Sequence, residues 1–543
     1  KHDWCQIILQ SAMDRSTLSY STIAILCLII HACDPLPSAI FIQALPLSTN
    51  GRWIVNNYGT RVKLACVNLP SYLEPAVVEG LSKQPMEAIA QRILSLGFNC
   101  VRLNWPLLLF TNETLAKTTV RRSFVNLGLH DAVSGTFKNN PSLIDLPLIE
   151  AFKSVVSKLG DKKLMVILDN HVYKPGRCCS TEDGFNSDQW ILGLTRAAST
   201  FKSMSMVVGM NLRNELTGGP RPSLNDWYRQ MQRAAEAVHK ESPTLLVMLS
   251  GLDFDKDLTF LRSQQLNLSF RGQTVFEMQL YAQTEGQAWA TGNPNQVCGR
   301  VSDRVVKTLD VLSSRGWPLF VSQFGVDLGR TILNDNLFLS CFMGLAAGLD
   351  LDWALWTLAG SYYFTRGASG VDEPYGVLAR DWHAARNVTF LKRLSAIQSP
   401  FRGPGIRETS LHLLIFHPAT GLCVRRTSLF DPLKLDTCHL ADPWTYATNQ
   451  MTLTASGTYF CLQAEVLGGP AKLGLSCTGR NSTWSMISDS KMQLAATTPN
   501  MGTGCLDVDS NYTIIVNTCR CLDSSRSCHP DFQWFRLVNS TRS

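Results

Sequence analysis

Charge is scarce in this chain: 17% of its 543 residues are Asp, Glu, Lys or Arg, and the formal net charge of +7 comes from no Lys/Arg block. Nucleic-acid grooves need a concentrated basic face, so nucleic acid is excluded as a partner class. The apolar run Ile23–Ile30 is too short to span a bilayer, so no transmembrane segment is expected. No Gly-x-Gly-x-x-Gly follows the first strand-like run, which removes the main support for a dinucleotide fold. No His, Cys, Asp or Glu cluster has convincing metal-ligand spacing. The chain therefore implies neither a cofactor nor a metal.

What is present is a folded composition, 45% hydrophobic, in a chain too long for one ordinary core. Two domains plus a leader are expected. Residues 1–44 read as upstream residues and a secretory signal: Met13 is a plausible start, Arg15 precedes the Ile23–Ile30 run, and small residues and Pro follow it. Removing Cys5, Cys27 and Cys33 leaves 14 of the 17 Cys, an even number suited to an oxidising compartment. Six Asn-x-Ser/Thr sequons, at Asn112, Asn267, Asn387, Asn481, Asn511 and Asn539, suit a glycosylated secreted protein, extracellular or in a cell wall. Vicinal Cys178-Cys179 lie near His171, and in such a compartment disulfide use is expected over metal binding.

Residues 45–403 alternate short apolar runs with amphipathic stretches. Strand candidates are Val62–Val67, Asn99–Trp105, Lys163–Asp169, Met206–Asn211, Thr244–Leu249, Thr274–Gln279, Pro318–Gln323 and Leu349–Trp356. Pro85 opens one helical stretch, and Ser223–Lys240 forms another with Ser, Asn and Asp near its start. Eight strands with helical crossovers predict an α/β fold of the (β/α)₈ (TIM barrel) type. Polar residues fall at the strand ends in order: Arg102, then Asn170-His171, then Arg213-Asn214-Glu215. Gln279-Leu280-Tyr281, Gln323-Phe324-Gly325 and Trp353-Ala-Leu-Trp356 follow. Strand C-termini are where such barrels carry chemistry.

These six motifs, in this order, resemble glycoside hydrolase family 5, the cellulase family, over about residues 50–400. The similarity is greatest to plant-type members that carry an extra lectin-like domain. The resemblance implies an endo-type β-glycosidase acting on a β-linked polysaccharide or glycoconjugate glycan. By position it makes Glu215 the general acid/base and Asn214 the partner of the sugar 2-hydroxyl. Arg102 and His171 would support the carboxylates, Tyr281 would sit near the nucleophile, and Trp356 would form the floor of the sugar site.

The chain departs from that family at two positions. The retaining mechanism needs two carboxyl groups about 5–5.5 Å apart, and the nucleophile position reads Gln323. An amide is a poor nucleophile and gives no full negative charge to an oxocarbenium-like transition state. Its loss costs on the order of 4–8 kcal/mol of barrier. With that anion gone, Glu215 is expected to ionise more readily. Gln279 stands where the family usually has His. Glu277 shares the inward face by alternation but lies deeper, and Asp327 lies past the strand end, so neither spacing suits a replacement nucleophile. The alternative reading is a carbohydrate-binding pseudoenzyme.

Residues 404–543 follow a boundary at Ser399–Gly405 and contain an internal repeat. Cys423, Cys461 and Cys505 are spaced 38 and 44 residues apart, and each precedes a second Cys, at 438, 477 and 519, by 14–16 residues. Trp444, Trp484 and Trp534 follow. Three strand-rich repeats mark a threefold all-β architecture, and the degenerate Gln-x-Trp signature Phe532-Gln533-Trp534 resembles a ricin-B-type β-trefoil lectin. The simplest pairing is 423–438, 461–477 and 505–519, with 521–528 in an insertion. The resemblance makes Asp507 the lectin-site candidate, because the first two repeats carry Arg425 and Gln463 there. The repeat tryptophans are expected in the core.

Overall fold

Period-two alternation decides what fills the barrel. The computed structural model describes residues 44–176, 186–215, 223–330, 332–406, 410–498, 502–523 and 528–542. The expected leader through residue 43, Cys178-Cys179 and the stretch 216–222 lie outside the described residues. Eight parallel strands close into one barrel: β1 Ala65–Pro70, β2 Cys100–Pro106, β3 Met165–Val172, β4 Val207–Asn211, β5 Leu246–Ser250, β6 Thr274–Leu280, β7 Leu319–Phe324 and β8 Asp352–Leu355, with β8 pairing β1. All eight expected strands are present in the expected order. The last begins later than expected, because Leu349 still belongs to the preceding helix, which Asp350 ends in the left-handed region at φ 50°.

Helices cover the outside. They include α1 Met86–Ser95, α2 Leu148–Asp161, α3 Ser187–Phe201, α4 Leu224–Glu241, α5 Pro294–Ser313 and α6 Leu333–Leu349. Ser223 caps α4 by accepting from the Asp226 N–H, as its position suggested. On β2, β3 and β6 the residues Val101, Leu103, Val166, Leu168, Phe276 and Met278 face the helices in the main core. Their neighbours Cys100, Met165, Ile167 and Val275 fill the barrel's lower interior with Cys66, Met248 and Phe320. One step further along, the inward positions become polar, with Asn68, Arg102, Asn104, Asp169, Glu277 and Ser322 all buried.

Two of the barrel's four register shifts bear on the site. Between β3 and β4 the pairing skips Val208, and between β6 and β7 it skips Ser322, which brings Gln323 opposite Gln279. A bulge of this kind turns the following residue onto a new face. It lets Ser322 and Gln323 both approach the interior, which strict alternation forbids.

Three antiparallel four-stranded sheets follow, one per sequence repeat. The first contains His412–His417, Leu422–Arg425 and Lys434–Asp436, and the last strand of the chain, Arg536–Ser540, pairs back onto His412–Phe416. Their inner faces share a core around Ile415, Leu453, Leu462, Leu494, Leu506 and Phe535. Trp444, Trp484 and Trp534 are fully buried, as expected. The disulfides Cys423–Cys438, Cys461–Cys477, Cys505–Cys519 and Cys521–Cys528 match the simplest pairing. Cys66–Cys100 and Cys298–Cys341 add two within the barrel.

Residues 45–543 pack as one unit. The segment expected as a boundary is tied to the barrel floor: the Phe401 and Arg402 N–H groups donate to Asp350 Oδ2 at 3.0 and 3.1 Å, and Pro404 O accepts from the Arg61 N–H. The start of α5 enters the third repeat, where Asn295 Oδ1 accepts from Trp534 Nε1 at 2.8 Å and Asn295 Nδ2 donates to Gln493 Oε1 at 2.8 Å. Among the described residues no helix is long and apolar enough to cross a membrane.

Candidate active site

The C-terminal rim of the barrel gathers one buried arginine among four acids. Arg102, from β2, is fully buried and pairs with Asp169 of β3 at 2.8 Å and with Glu277 of β6 at 3.6 Å. Asp169 also accepts from Asn104 at 2.7 Å and from Asn211 at 2.7 Å, and its Oδ2 lies 2.6 Å from His171 Nδ1. Burial alone would raise the Asp169 pKa, but Arg102, His171 and these hydrogen bonds outweigh it and hold the group below its ordinary value. Burial lowers the His171 pKa, with Asp169 opposing, so the imidazole is neutral at pH 7.

The remaining acids behave oppositely. Burial pushes Glu277 up to about 7, Arg102 opposing and Asp169 assisting. Asp255, on the loop after β5, is raised well above its ordinary value by burial and by the neighbouring Glu277. Its Oδ2 accepts from the Glu215 N–H at 2.9 Å and from Gln279 Nε2 at 3.2 Å. Glu215 follows β4 with its backbone in the left-handed region, φ 38°, a conformation that costs a non-glycine residue energy and is held here by that N–H bond. Burial raises Glu215 to about 7, Asp169 assisting and Arg102 opposing, while a hydrogen bond from Gln279 lowers it. Glu215 is expected to ionise more readily without a facing carboxylate than with one, yet its pKa still stands above the ordinary carboxylate value. Burial and the deeper acid Asp169 replace the missing anion as reasons to hold a proton.

Five of the expected residues join in one hydrogen-bonded set. Asn214 Oδ1 accepts from Arg102 at 3.2 Å, from Gln279 Nε2 at 3.0 Å and from Gln323 Nε2 at 3.0 Å. Tyr281 donates its hydroxyl to Gln323 Oε1 at 3.0 Å. Trp356 is half-buried and stacks on His171 with ring centroids 5.5 Å apart and planes 12° from parallel. Tyr72 packs against both rings. A tryptophan face open at the rim can carry the C–H face of a pyranose.

Glu277 lies on the inward face below Gln279, as alternation predicted, where Asn211 Nδ2 donates to it at 2.6 Å. Asp327 uses its Oδ1 to accept from the Gly329 and Arg330 N–H groups and takes no part in the cluster. Asp255 and Tyr72 were missed from sequence. Asp255 sits in an irregular loop with no periodicity to mark it, whereas Asp169 could have been found, since it lies two residues before His171 on one strand face. Asp507 lies elsewhere: it is buried in the third repeat and its Oδ2 is within 3.1 Å of Asn517 Nδ2 and of Gln533 Nε2 and 3.4 Å from Arg520. Among the described residues no group of three or more His, Cys, Asp or Glu could hold a metal ion.

An acid-rich, aromatic-walled cluster at the C-terminal rim of a closed parallel barrel is a layout that barrel glycosidases use. Sequence similarity specifies the family. Residues 55–361 match the model described as Cellulase (glycosyl hydrolase family 5). A glycosyl hydrolase 5 family protein of Chamaecyparis obtusa is 38% identical over 528 residues, covering 92% of this chain and 94% of that protein. An endoglucanase of Paenibacillus polymyxa is 25% identical over 218 residues, 38% of this chain and 49% of that protein. The fold is similar to that of an endocellulase from the archaeon Pyrococcus horikoshii, with TM-score 0.54 and 20% identity over 65% of this chain and 99% of that one. The chain belongs to glycosyl hydrolase family 5.

Proposed function

We propose that this protein is a secreted, cellulase-like member of its family that binds β-linked glucan in the barrel cleft and turns it over poorly. One observation carries the reading: the residue at the strand-end position expected to hold the nucleophile is an amide, Gln323, already paired through both ends of its side chain to Asn214 and Tyr281. In this reading Glu215 occupies the acid/base position, and Asn214, Arg102, His171 and Tyr281 line the sugar site with Trp356 as its floor. Gln279 and Gln323 are the substituted positions. A relative in the family is an endoglucanase by name, and one solved neighbour was captured with cellotetraose. Both support a β-glucan as the ligand here.

A hydrolytic reading draws on one observation, the raised pKa of Glu215, about 7, which suits a proton donor at neutral pH. It lacks the second carboxylate that a retaining mechanism requires.

The barrel would occupy residues 45–403, and the remaining 404–543 would be a ricin-B-like trefoil. Support for the trefoil comes from three sheets that follow the three sequence repeats and from the closing strand of the last onto the first. With its carboxylate engaged by Asn517, Gln533 and Arg520, Asp507 acts in this reading as a scaffold residue of the third repeat. Six disulfides among the described residues support an oxidising, extracellular setting.

The test is reducing-sugar release from a panel of β-glucans and β-mannans, with cello-oligosaccharide binding followed by calorimetry. Release is expected to be negligible while binding is measurable, and Trp356→Ala should weaken binding about tenfold, ~1.4 kcal/mol. Turnover above about 1 per second, an ordinary enzymatic rate, would defeat the reading.

A further inference from the structure

We infer that Tyr375 is a second aromatic contact for the glycan, positioned by the buried carboxylate of Glu373, so that the cleft holds an oligosaccharide rather than a single sugar. This role rests on the proposed reading of the cleft as a β-glucan site.

After β8 the chain runs out into a hairpin, Ser361–Thr365 paired antiparallel with Ala368–Asp372, and returns to the rim at Glu373. Tyr375 follows two residues later and is half-buried. Its ring lies 6.4 Å from that of Tyr281, edge to face at 71°. Gly325, directly after β7, shows how near the ring comes. A Cβ there would stand 3.0 Å from Tyr375 Cδ1 and 2.6 Å from Trp356 O. A residue without a side chain is what lets Tyr375 and Trp356 meet over the end of β7.

From that meeting point the two rings diverge. Trp356 runs toward His171 on β3, three strands away around the barrel in one direction. Tyr375 runs toward Tyr281 after β6, two strands away in the other. A ligand touching both must extend across the rim, as a chain of sugars does and one sugar ring does not. Tyrosine suits such a ligand, with an apolar face for the C–H groups and a hydroxyl for the polar edge. The Tyr375 hydroxyl donates to Gln283 Oε1 at 3.4 Å in an exposed position. That is longer than the usual O–H···O limit of about 3.0 Å, so a sugar hydroxyl can replace this partner at little cost.

Glu373 fixes both sides of the arrangement. Its side chain is buried, its Oε1 accepts from the Tyr375 N–H at 2.9 Å, and its Oε2 accepts from the Tyr362 hydroxyl. Tyr362 and Trp356 pack together against Tyr72, Leu73 and Val172. One carboxylate thus ties the backbone of Tyr375 to the packing around Trp356. Both oxygens are engaged, so Glu373 acts by positioning the rings.

Calorimetry on the full chain with cellotetraose and cellobiose tests this. Tyr375→Ala should weaken cellotetraose binding about fivefold, the scale of one aromatic contact, and leave cellobiose within about twofold of the wild type. Tyr375→Phe keeps the ring and should recover most of the loss. Glu373→Leu deletes both bonds and should weaken cellotetraose as Tyr375→Ala does. Glu373→Gln keeps an acceptor for the Tyr375 N–H and should bind like the wild type. Because Tyr375 is half-buried, its variants keep the test readable should Glu373→Leu fail to fold. Unchanged cellotetraose binding in Tyr375→Ala, or an equal loss for cellobiose, would overturn the inference. Equal losses in Glu373→Leu and Glu373→Gln would overturn the positioning role of Glu373. If the wild type bound neither sugar, the proposed function would fail and take this contact with it. If Trp356→Ala weakened binding and Tyr375→Ala did not, the second contact alone would fall.

Discussion

The barrel holds two buried charge clusters, one at each end, and they are balanced differently. At the floor, Arg61 pairs with Asp352 at 2.9 Å and Lys63 with Asp350 at 2.8 Å, all four side chains almost fully buried. Burial alone would raise the Asp350 pKa, but Lys63, Arg61 and the Arg402 N–H outweigh it and hold the group below its ordinary value. Burial pulls Lys63 down in turn, with Asp350 opposing. At the rim, one buried arginine, Arg102, faces Asp169, Glu277, Asp255 and Glu215, Lys256 adds a weaker pull on Glu215, and of the four acids only Asp169 is held below its ordinary value. A cluster in which every acid has its own cation, here with Arg52 and Arg402 besides, holds structure together. A cluster with surplus acids stores protons, and such perturbed groups gather where chemistry or binding occurs.

The largest expected effect separates the two ends. Asp350→Ala should destabilise the fold by about 3–5 kcal/mol, because it strands the Lys63 ammonium in the interior and leaves the Phe401 and Arg402 N–H groups without their acceptor. Urea denaturation at pH 7 measures it; a loss under about 1 kcal/mol would mean the floor pair behaves like a surface ion pair and the contrast collapses.

The smaller effect probes the rim. Glu277 has a raised folded-state pKa, about 7, so its contribution to stability is complete below the unfolded carboxyl value and is lost as pH rises to about 7. Wild-type stability should therefore fall across that window, by up to about 1.4 kcal/mol per pH unit for each proton held. Since Glu277 and Asp255 share the burden, the protons belong to the pair. Glu277→Gln should flatten the slope by about one proton and cost little at pH 5, where the carboxyl it replaces is already neutral. An unchanged slope in that variant would place the stored proton elsewhere in the cluster.

Much of the fold was legible because the barrel strands are short apolar runs, and period two holds along most of their length. Cys100, Arg102 and Asn104 turn inward while Val101, Leu103 and Trp105 turn to the helices; the strands themselves were found as short apolar runs, and alternation put Glu277 on the inner face. Asn214, Gln279, Tyr281 and Gln323 were found as strand-end residues and do meet. The proton held on Glu215 was not legible, because its burial and the reach of Asp169 from a neighbouring strand leave no trace near position 215. Asp255 escaped notice for a similar reason: three successive left-handed residues, Asp253, Phe254 and Asp255, turn its carboxylate under Glu215, and loops of that kind have no sequence period.

Sequence alone determined the eight apolar runs, their order, the repeat of cysteines and the amides at 279 and 323, since covalent order and side-chain hydrophobicity are local properties. Tertiary structure decided how charge is shared. It set one arginine among four acids, shifted the register of β7 so that Gln323 faces Gln279, and fixed which way Asn214 points. Those outcomes depend on distances between strands far apart in the chain, and electrostatic energy in a dry interior is governed by those distances and by burial rather than by neighbours in sequence.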